Sequence, residues 1–265
     1  MDLDFTDDEL RRYSRHVLLP ELGAVGQARL RAGRVLVVGA GGLGSPAILY
    51  LAAAGIGTIG VIDDDRVELS NLQRQIVHHM DGLGTPKVES AAAAVHALNP
   101  LVRVEAHAHR LEAGNALALI AGYDLVLDGS DSFATRFLVG DACALARRTL
   151  VSAAVLRFDG QITTFKPHAD AAGPCWRCLH RTPPPPGLIP SCGEAGVLGA
   201  VTGLLGTLQA TEAVKELAGI GEGLSGRLML WDALHARVHT VRVPRDPACP
   251  LCGPSPRITD LSAHA

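Results

Sequence analysis

The chain has 265 residues, of which 48% are hydrophobic and only 4% aromatic, and its formal net charge is −3. This length suits one large domain or two small ones, and a nearly neutral chain without blocks of like charge argues against a nucleic-acid-binding surface. Because no stretch approaches the ~20 apolar residues of a membrane span and the N-terminus has no apolar signal region, we expect no membrane contact and a cytoplasmic location.

The first 33 residues predict an N-terminal helical arm. Thr6 and Glu9 have the spacing of a capping box, which starts a short helix that runs to about His16. A second short helix is predicted from about Val25 to Ala32.

A strand, a glycine-rich turn and a helix follow the arm. The apolar run Val35–Val38 predicts a buried strand, and the alanine-rich segment Ala47–Ala54 predicts a helix. Between them, Gly39, Gly41 and Gly44 have the spacing G-x-G-x-x-G. Glycines let the backbone approach phosphate groups, and the N–H groups and dipole of the helix N-terminus hold their negative charge. The stretch therefore predicts a nucleotide site.

The next strand ends in acidic residues. Thr58–Ile62 is apolar, and Asp63 follows it roughly twenty residues after the last glycine, where a ribose-binding acid is expected. Because this pattern is usually assigned to NAD or FAD, the glycines alone leave the identity of the nucleotide open.

Helices and strands alternate over the following residues. Helices are predicted at about residues 85–98, 112–121 and 133–147, and strands at about 102–109, 123–128 and 150–155. This alternation predicts an α/β, Rossmann-like fold: a mostly parallel sheet with helices on both faces. Asp159–Phe165 and two antiparallel strands within Ser225–Val243 extend the sheet, a long helix covers about Glu194–Ala218, and residues 254–265 predict a flexible tail.

Three polar side chains downstream of the turn suit a triphosphate, and each has a plainer interpretation. Arg74, in Ser70–Gln75, offers a fork of donors to phosphates or lies in a solvated turn. Lys87 can reach phosphate from a helix start or is an exposed lysine. Asp131 follows a parallel strand, where it is a natural Mg²⁺ ligand or caps the helix that begins at Ser132.

Four of the six cysteines form two C-x-x-C pairs. Cys175 and Cys178 lie in a loop of about residues 166–193 that is too rich in Pro and Gly for regular structure, and Cys249 and Cys252 lie near the C-terminus. Two such pairs predict a closed, structural zinc site of Cys₄ type that staples the loop to the C-terminus. The alternative is four unrelated cysteines.

Cys192 follows the proline-rich loop just before a predicted helix start. A helix dipole lowers the pKa of a thiol in that position, so Cys192 is a candidate nucleophile. The alternative is a small packing residue.

Taken together, these motifs resemble the E1-like ThiF/MoeB/HesA family, whose members activate ubiquitin-like sulfur-carrier proteins. The similarity runs from about Leu10 to Gly253, nearly the whole chain. Each motif alone is a weak signal, but their joint presence in this order is specific to the family. They are Arg12–Arg15, the glycine turn, Ser70–Gln75, Gly84–Lys87, Asp128–Asp131, Asp159–Gln161 and the two cysteine pairs.

The resemblance implies an adenylation domain over residues 34–253 that uses ATP and Mg²⁺ rather than NAD. It also implies a homodimer in which Arg15 enters the active site of the partner subunit. The ATP or Mg²⁺ contacts that it implies come from the glycine turn and the strand ends, namely Gly39, Gly41, Gly42, Gly44, Asp63, Ser70, Asn71, Gln73, Arg74, Lys87, Asp131 and Ser132.

The implied reaction is adenylation of the C-terminal Gly-Gly carboxylate of a small sulfur carrier, with Arg15, Arg74 and Lys87 balancing the charge of the transition state. The chain ends soon after Cys252 without the rhodanese domain of some members, so we expect a separate sulfur donor of cysteine desulfurase or rhodanese type, with Cys192 as a candidate for relaying the sulfur.

The pathway stays open among thiamine, molybdopterin, tRNA thiolation and a sulfur-containing secondary metabolite. Three alternative functions also stay open at this point. They are an NAD(P)-dependent oxidoreductase, a non-catalytic binding module stapled by zinc, and adenylation of a non-protein or tRNA-linked carboxylate.

Overall fold

A computed structural model describes residues 3–170, 172–185, 188 and 195–264 of the chain. Its helices are α1 (Asp7–Val17), α2 (Gly23–Ala32), α3 (Gly44–Ala54), α4 (Lys87–Leu98), α5 (Ala113–Ala121), α6 (Phe133–Leu145), α7 (Trp176–Leu179) and α8 (Gly199–Ala218). Its strands are β1 (Arg34–Val38), β2 (Thr58–Ile62), β3 (Arg103–His107), β4 (Leu125–Asp128), β5 (Thr149–Leu156), β6 (Asp159–Phe165), β7 (Arg227–Asp232) and β8 (Arg237–Arg242).

These strands form one sheet in the order β3-β2-β1-β4-β5-β6-β7-β8. Strands β1 to β5 are parallel to one another, and β6, β7 and β8 continue the sheet antiparallel, as the sequence predicts. The strand order reverses between β1 and β4, where Val38 pairs with Asp128 at the carboxyl ends of both strands. Open α/β sheets bind ligands in the crevice at such a reversal.

Both faces of the parallel sheet are buried, as a sheet covered by crossover helices requires. Successive side chains of β1 point to opposite faces, so that Val35 and Val37 join one apolar core while Leu36 and Val38 join the other. The first core is closed mainly by α3, α4 and α8, and the second by α5 and α6. The interior is therefore built mainly from Ala, Val, Leu and Ile, and four aromatic residues, Tyr123, Phe137, Phe165 and Trp176, join the second core.

The N-terminal arm is packed onto the domain. The predicted capping box at Thr6 and Glu9 is present at the start of α1. Asn99 is fully buried at the end of α4, and its Nδ2 donates hydrogen bonds to the Tyr13 hydroxyl at 2.9 Å and the Ala52 carbonyl oxygen at 2.7 Å. These bonds fix α1 against α3 and α4.

The structure differs from the sequence prediction in two local details. The helix predicted at about residues 85–98 begins at Lys87, because the backbone of Pro86 is extended (φ −56°, ψ 135°) and this residue is the N-cap of α4. The loop predicted to be irregular contains the single helical turn α7, which begins directly after Cys175. No helix in the described part of the chain is long and apolar enough to cross a bilayer.

The described residues 254–264 belong to the predicted flexible tail, and two of them, Leu261 and His264, are docked on the domain. Leu261 is 4% exposed and joins the apolar core under α5 and α6. Next to it, His264 Nε2 lies 2.8 Å from Oδ2 of the buried Asp141. The prediction fails here because a single leucine among polar residues gives no periodic pattern to recognise.

The docked C-terminus predicts a stability effect at Leu261. Leu261→Ala should lower the free energy of unfolding by about 2–3 kcal/mol, because it leaves a cavity in a packed core. The matched control Leu234→Ala, at a leucine that is 64% exposed, should change it by less than about 0.5 kcal/mol. Urea unfolding measures both, and equal effects of the two substitutions would mean that residues 254–264 are a free tail.

Candidate active site

A cavity of about 280 Å³ opens at the carboxyl ends of β1, β2 and β4. It lies at the strand-order reversal, so the topology alone would place a ligand there. Among the residues named from the sequence, the cavity brings together Gly39, Gly41, Gly42, Asp63, Arg74, Lys87, Asp131 and Ser132.

The glycine turn forms one wall of this cavity. Gly39 has φ +90°, a left-handed conformation that side chains disfavour, and a Cβ there would come within 3.1 Å of the Gly129 carbonyl oxygen. A Cβ on Gly44 would lie 1.8 Å from the Gly39 carbonyl oxygen, so Gly44 is required for the close packing inside the turn. Gly44 is not one of the described residues that line the cavity, so its observed role is packing inside the glycine turn.

Asp63 ties the glycine turn to the end of β2. Its Oδ2 accepts a hydrogen bond from the Ala40 N–H at 2.8 Å, and its Oδ1 accepts one from the Asp65 N–H at 2.9 Å. Asp63 Oδ1 also lies 4.0 Å from Lys87 Nζ. The acid that the spacing singles out therefore shapes the phosphate-binding turn as well as lining the cavity.

Lys87 is not a surface lysine. Its side chain is only 7% exposed, and its Nζ lies 2.7 Å from Oδ2 of Asp65, whose own side chain is 66% exposed. The first residue of α4 thus places the Lys87 ammonium group at the cavity wall, where its near partner is the exposed carboxylate of Asp65. This arrangement supports the phosphate-binding interpretation of Lys87 and argues against the plainer one.

The segment Ser70–Gln75 contributes Arg74 and Gln75 to the lining of the cavity. Arg74 lines it, and its Nη1 donates to the Ser70 carbonyl oxygen at 3.1 Å. Asn71 is buried, and its Oδ1 accepts the Glu68 N–H at 3.0 Å, so this amide closes the turn. Within the described chain, Ser70, Asn71 and Gln73 do not line the cavity.

Asp131 and Ser132 divide two tasks. Ser132 is the N-cap of α6, since its Oγ accepts the Thr135 N–H at 3.1 Å. Asp131 is exposed at the cavity and makes no hydrogen bond or ion pair with any described residue. Its carboxylate is therefore available to a ligand, and the helix-cap interpretation belongs to Ser132.

Two further predicted residues lie elsewhere. Arg15 is exposed on α1 and does not line the cavity of its own chain, judged over the residues that the structure describes. Cys192 lies outside the described residues.

Sequence reasoning missed His78, which braces the glycine turn from behind. This buried imidazole donates from Nε2 to the Ala40 carbonyl oxygen at 3.0 Å and accepts from the Ser90 hydroxyl at Nδ1, at 2.9 Å. Burial lowers the pKa of His78, and the nearby Lys87 charge lowers it further, so the ring is neutral. Its neighbour His79 is exposed, and no signal in the sequence separates the two histidines.

The four paired cysteines meet on the other side of α6. Their Sγ atoms all lie within 4.8 Å of one another, with 3.5 Å between Cys175 and Cys249 and 3.5 Å between Cys178 and Cys252. Four sulfurs at ~2.3 Å from one tetrahedral metal ion would be about 3.8 Å apart, so the cluster fits such an ion.

The family model described as ThiF family matches residues 13–251 of the chain. This protein belongs to the ThiF family. It is 50% identical over 260 residues to the sulfur carrier protein adenylyltransferase of Thermus thermophilus, which covers 97% of this chain and 96% of that protein.

A longer relative is the probable adenylyltransferase/sulfurtransferase MoeZ of Mycobacterium tuberculosis. It is 49% identical over 255 residues, and the match covers 96% of this chain but only 64% of MoeZ. Among solved structures, E. coli MccB with AMPCPP and MccA has the same fold, with a TM-score of 0.81 and 22% identity over 94% of this chain and 75% of that one.

The lowered pKa of His78 predicts a pH dependence of stability. Because the folded-state pKa lies below the unfolded value near 6.5, the unfolded chain binds more protons as the pH falls through that value, and stability is lost there. His78→Gln removes this proton uptake, so its free energy of unfolding should fall less steeply between pH 7 and pH 5.5, by up to about 1.4 kcal/mol per pH unit.

The matched control is His79→Gln, at the exposed neighbour, which should keep the wild-type slope. Urea unfolding at several pH values gives the slopes. Identical slopes for all three proteins would contradict a neutral, buried His78.

Proposed function

We propose that this protein is an adenylyltransferase that uses ATP to activate the C-terminal carboxylate of a small ubiquitin-like sulfur carrier ending in Gly-Gly. The observation that carries the proposal is one cavity that joins a phosphate-binding glycine turn to Arg74, Lys87 and an unpaired Asp131. The name of the Thermus relative, a sulfur carrier protein adenylyltransferase, supports the same substrate class.

The side chains at the cavity fit a nucleoside triphosphate with its divalent cation. Arg74 and Lys87 supply positive charge beside the glycine turn, as a triphosphate requires. Asp131 offers a carboxylate free of protein partners, which suits Mg²⁺, and this ion would supply charge neutralisation at the phosphates. An oxidoreductase that binds NAD(P) has no comparable use for these three groups, so the geometry favours adenylation.

The chemistry needs charge balance and alignment more than it needs a protein nucleophile. An oxygen of the carrier's carboxylate attacks the α-phosphorus of ATP and forms a new O–P bond. The bond between the α-phosphorus and the bridging oxygen breaks, and pyrophosphate leaves with the electron pair. Preorganised cations stabilise the charge that develops in such a transition state, which is the role that we assign to Arg74 and Lys87.

A second cavity of about 390 Å³ adjoins the first and suits the carrier's tail. Its walls come mainly from β5, β6 and β7, and they include Gly160 and Gln161 of the Asp159–Gln161 motif as well as Leu230 and Trp231. Asp131 lines both cavities. A chain end that enters through the second cavity therefore reaches the proposed position of the α-phosphate.

The remaining partners follow from the family resemblance. Arg15 is too far from its own cavity to line it, so its proposed role requires a homodimer in which it acts on the partner subunit's site. A separate sulfur donor would convert the acyl-adenylate to a thiocarboxylate, and Cys192 stays a candidate for that transfer. For the cysteine cluster, we propose structural Zn²⁺, since four thiolates in tetrahedral spacing are its preferred closed site.

Pyrophosphate exchange tests the adenylation. A panel of small ubiquitin-like proteins ending in Gly-Gly should include at least one that supports ATP–pyrophosphate exchange, and the same carrier without its Gly-Gly should support none. Lys87→Ala and Arg74→Ala should each slow this exchange by about 10²-fold or more, because each removes a charge at the phosphates. Binding of NAD(H) together with no exchange for any carrier would contradict the proposal.

Metal analysis tests the cysteine cluster. Freshly purified protein should contain about one zinc per chain, as a Cys₄ site predicts. Cys175→Ser should lose the metal and destabilise the fold, whereas Cys143→Ser, at a buried cysteine outside the cluster, should keep the metal. A metal-free wild-type protein of full stability would count against the site.

Mixing of inactive variants tests the action of Arg15 across a dimer. Arg15→Ala and Asp131→Ala should each be nearly inactive alone. After subunit exchange, the mixed dimer has one site with both groups intact, so part of the exchange activity should return. Subunit exchange without any recovery would place Arg15 outside the partner's site.

A further inference from the structure

Arg136 is a buried cation without a carboxylate partner in the described chain. It lies on α6, only 8% of its surface is exposed, and its Nη2 donates one hydrogen bond to the Ser130 carbonyl oxygen at 2.7 Å. No described acidic group lies within 4.0 Å of its nitrogens. A guanidinium has five N–H donors and does not lose its charge in a protein, so most of its bonding capacity is unused.

Arg177 shows how this protein treats an ordinary buried arginine. It has the same exposure of 8%, but its Nη2 and Nε donate to the two carboxylate oxygens of Asp141 at 2.6 and 2.8 Å. Burying a charge without such a partner is costly, and the cost is recovered when an anion binds. The contrast between the two residues therefore indicates that Arg136 is built to receive an anionic ligand.

The position of Arg136 identifies that ligand. With Asp131 and Val155, Arg136 is one of three described residues that line both the nucleotide cavity and the second cavity. The phosphate side already has Arg74 and Lys87. On the other side, Arg136 is the only Arg or Lys among the described residues of the second cavity, whose lining also carries the carboxylates of Asp131, Asp159 and Asp232.

We propose that Arg136 binds the terminal carboxylate of the carrier's tail at the junction of the two cavities. Without Arg136, an entering carboxylate would meet three acidic side chains and then the negative α-phosphate. The planar guanidinium fork matches a carboxylate in two parallel hydrogen bonds, which also directs one oxygen toward phosphorus. Arg136 is thus a substrate-binding residue of the adenylation site, and its role rests on the proposed function.

The test compares a carrier that has its natural C-terminal carboxylate with the same carrier ending in a carboxamide. Each is titrated against enzyme saturated with AMPCPP, a nucleotide that cannot complete the reaction. Amidation should raise the Kd for wild-type enzyme by about tenfold or more, because it removes a charge-assisted pair. For Arg136→Met, amidation should change the Kd by less than about twofold, since the partner of the carboxylate is already lost.

Two further variants complete the comparison. Arg103→Met, at an exposed arginine on the far edge strand β3, should show the same rise in Kd on amidation of the carrier as the wild-type enzyme, and we call this rise the amidation penalty. Arg136→Lys keeps the charge but not the fork, so its penalty should fall between those of wild type and Arg136→Met. If Arg136→Met does not fold, the lysine variant carries the test, and a wild-type penalty in it overturns the proposal.

The other outcomes are equally decisive. An amidation penalty that persists in Arg136→Met overturns the inference, and a weaker AMPCPP affinity in that variant would then assign Arg136 to phosphate. Carrier-dependent pyrophosphate exchange by the wild-type enzyme is measured in parallel. If the wild-type enzyme catalyses pyrophosphate exchange but the effect of amidation on Kd does not depend on Arg136, only this inference fails. If the wild-type enzyme neither catalyses exchange nor binds the carrier with a carboxylate or a carboxamide end, the proposed function fails as well.

Discussion

The carboxylate of Asp63 joins the parts of the chain on which the nucleotide cavity depends. It binds the Ala40 N–H in the glycine turn and the Asp65 N–H beyond β2, and it lies 4.0 Å from Lys87 at the start of α4. His78 holds the carbonyl oxygen of the same Ala40 from the opposite direction. The N–H and the carbonyl oxygen of Ala40 are therefore both fixed by side chains, and the turn is held in place before any ligand arrives. Such preorganisation is what allows fixed N–H groups and cations to stabilise charge without reorganising during the reaction.

The resulting site separates its charges by location. Arg74 and Lys87 lie toward the glycine turn, Asp131 lies at the end of β4, and Arg136 stands where the two cavities meet. Adenylation brings together two anions, a carboxylate and a triphosphate, and their mutual repulsion opposes the reaction. Arg74 and Lys87 offset the charge of the triphosphate, and Arg136 offsets the charge of the carboxylate. The repulsion between the two substrates is thereby reduced from both sides.

Local signals in the sequence predicted much of this structure, and tertiary context supplied the rest. Thr58–Ile62 and Asp159–Phe165 have the predicted bounds, because apolar or β-branched runs between turns leave few alternatives. Glycine spacing located the turn that lines the first cavity, and Gly44 is required for the packing inside that turn. The amide of Asn71 closes a turn in the structure, and its contact with a ligand stays a prediction. His78 and Arg136 were missed because a single sequence does not show which side chains are buried or which partners they have. His78 is recognised by its two hydrogen bonds, and Arg136 by the lack of a carboxylate partner among the described residues. Arg15 is expected to act in the active site of a partner subunit. The structure contains a single chain, so this role stays a prediction.

Helix α6 connects the cysteine cluster to the active site. Its N-cap is Ser132, directly after Asp131, and its second turn carries Arg136. Further along, Asp141 forms the ion pair with Arg177, which lies between Cys175 and Cys178. Trp176 packs edge-on against Phe137 at 5.6 Å, and a Cβ on Gly140 would come within 2.5 Å of the Trp176 side chain. This close approach leaves α6 little freedom to slide, because packed interiors resist displacement. The segment that carries the cysteine cluster therefore packs directly against the helix that holds Arg136 and that begins just after Asp131.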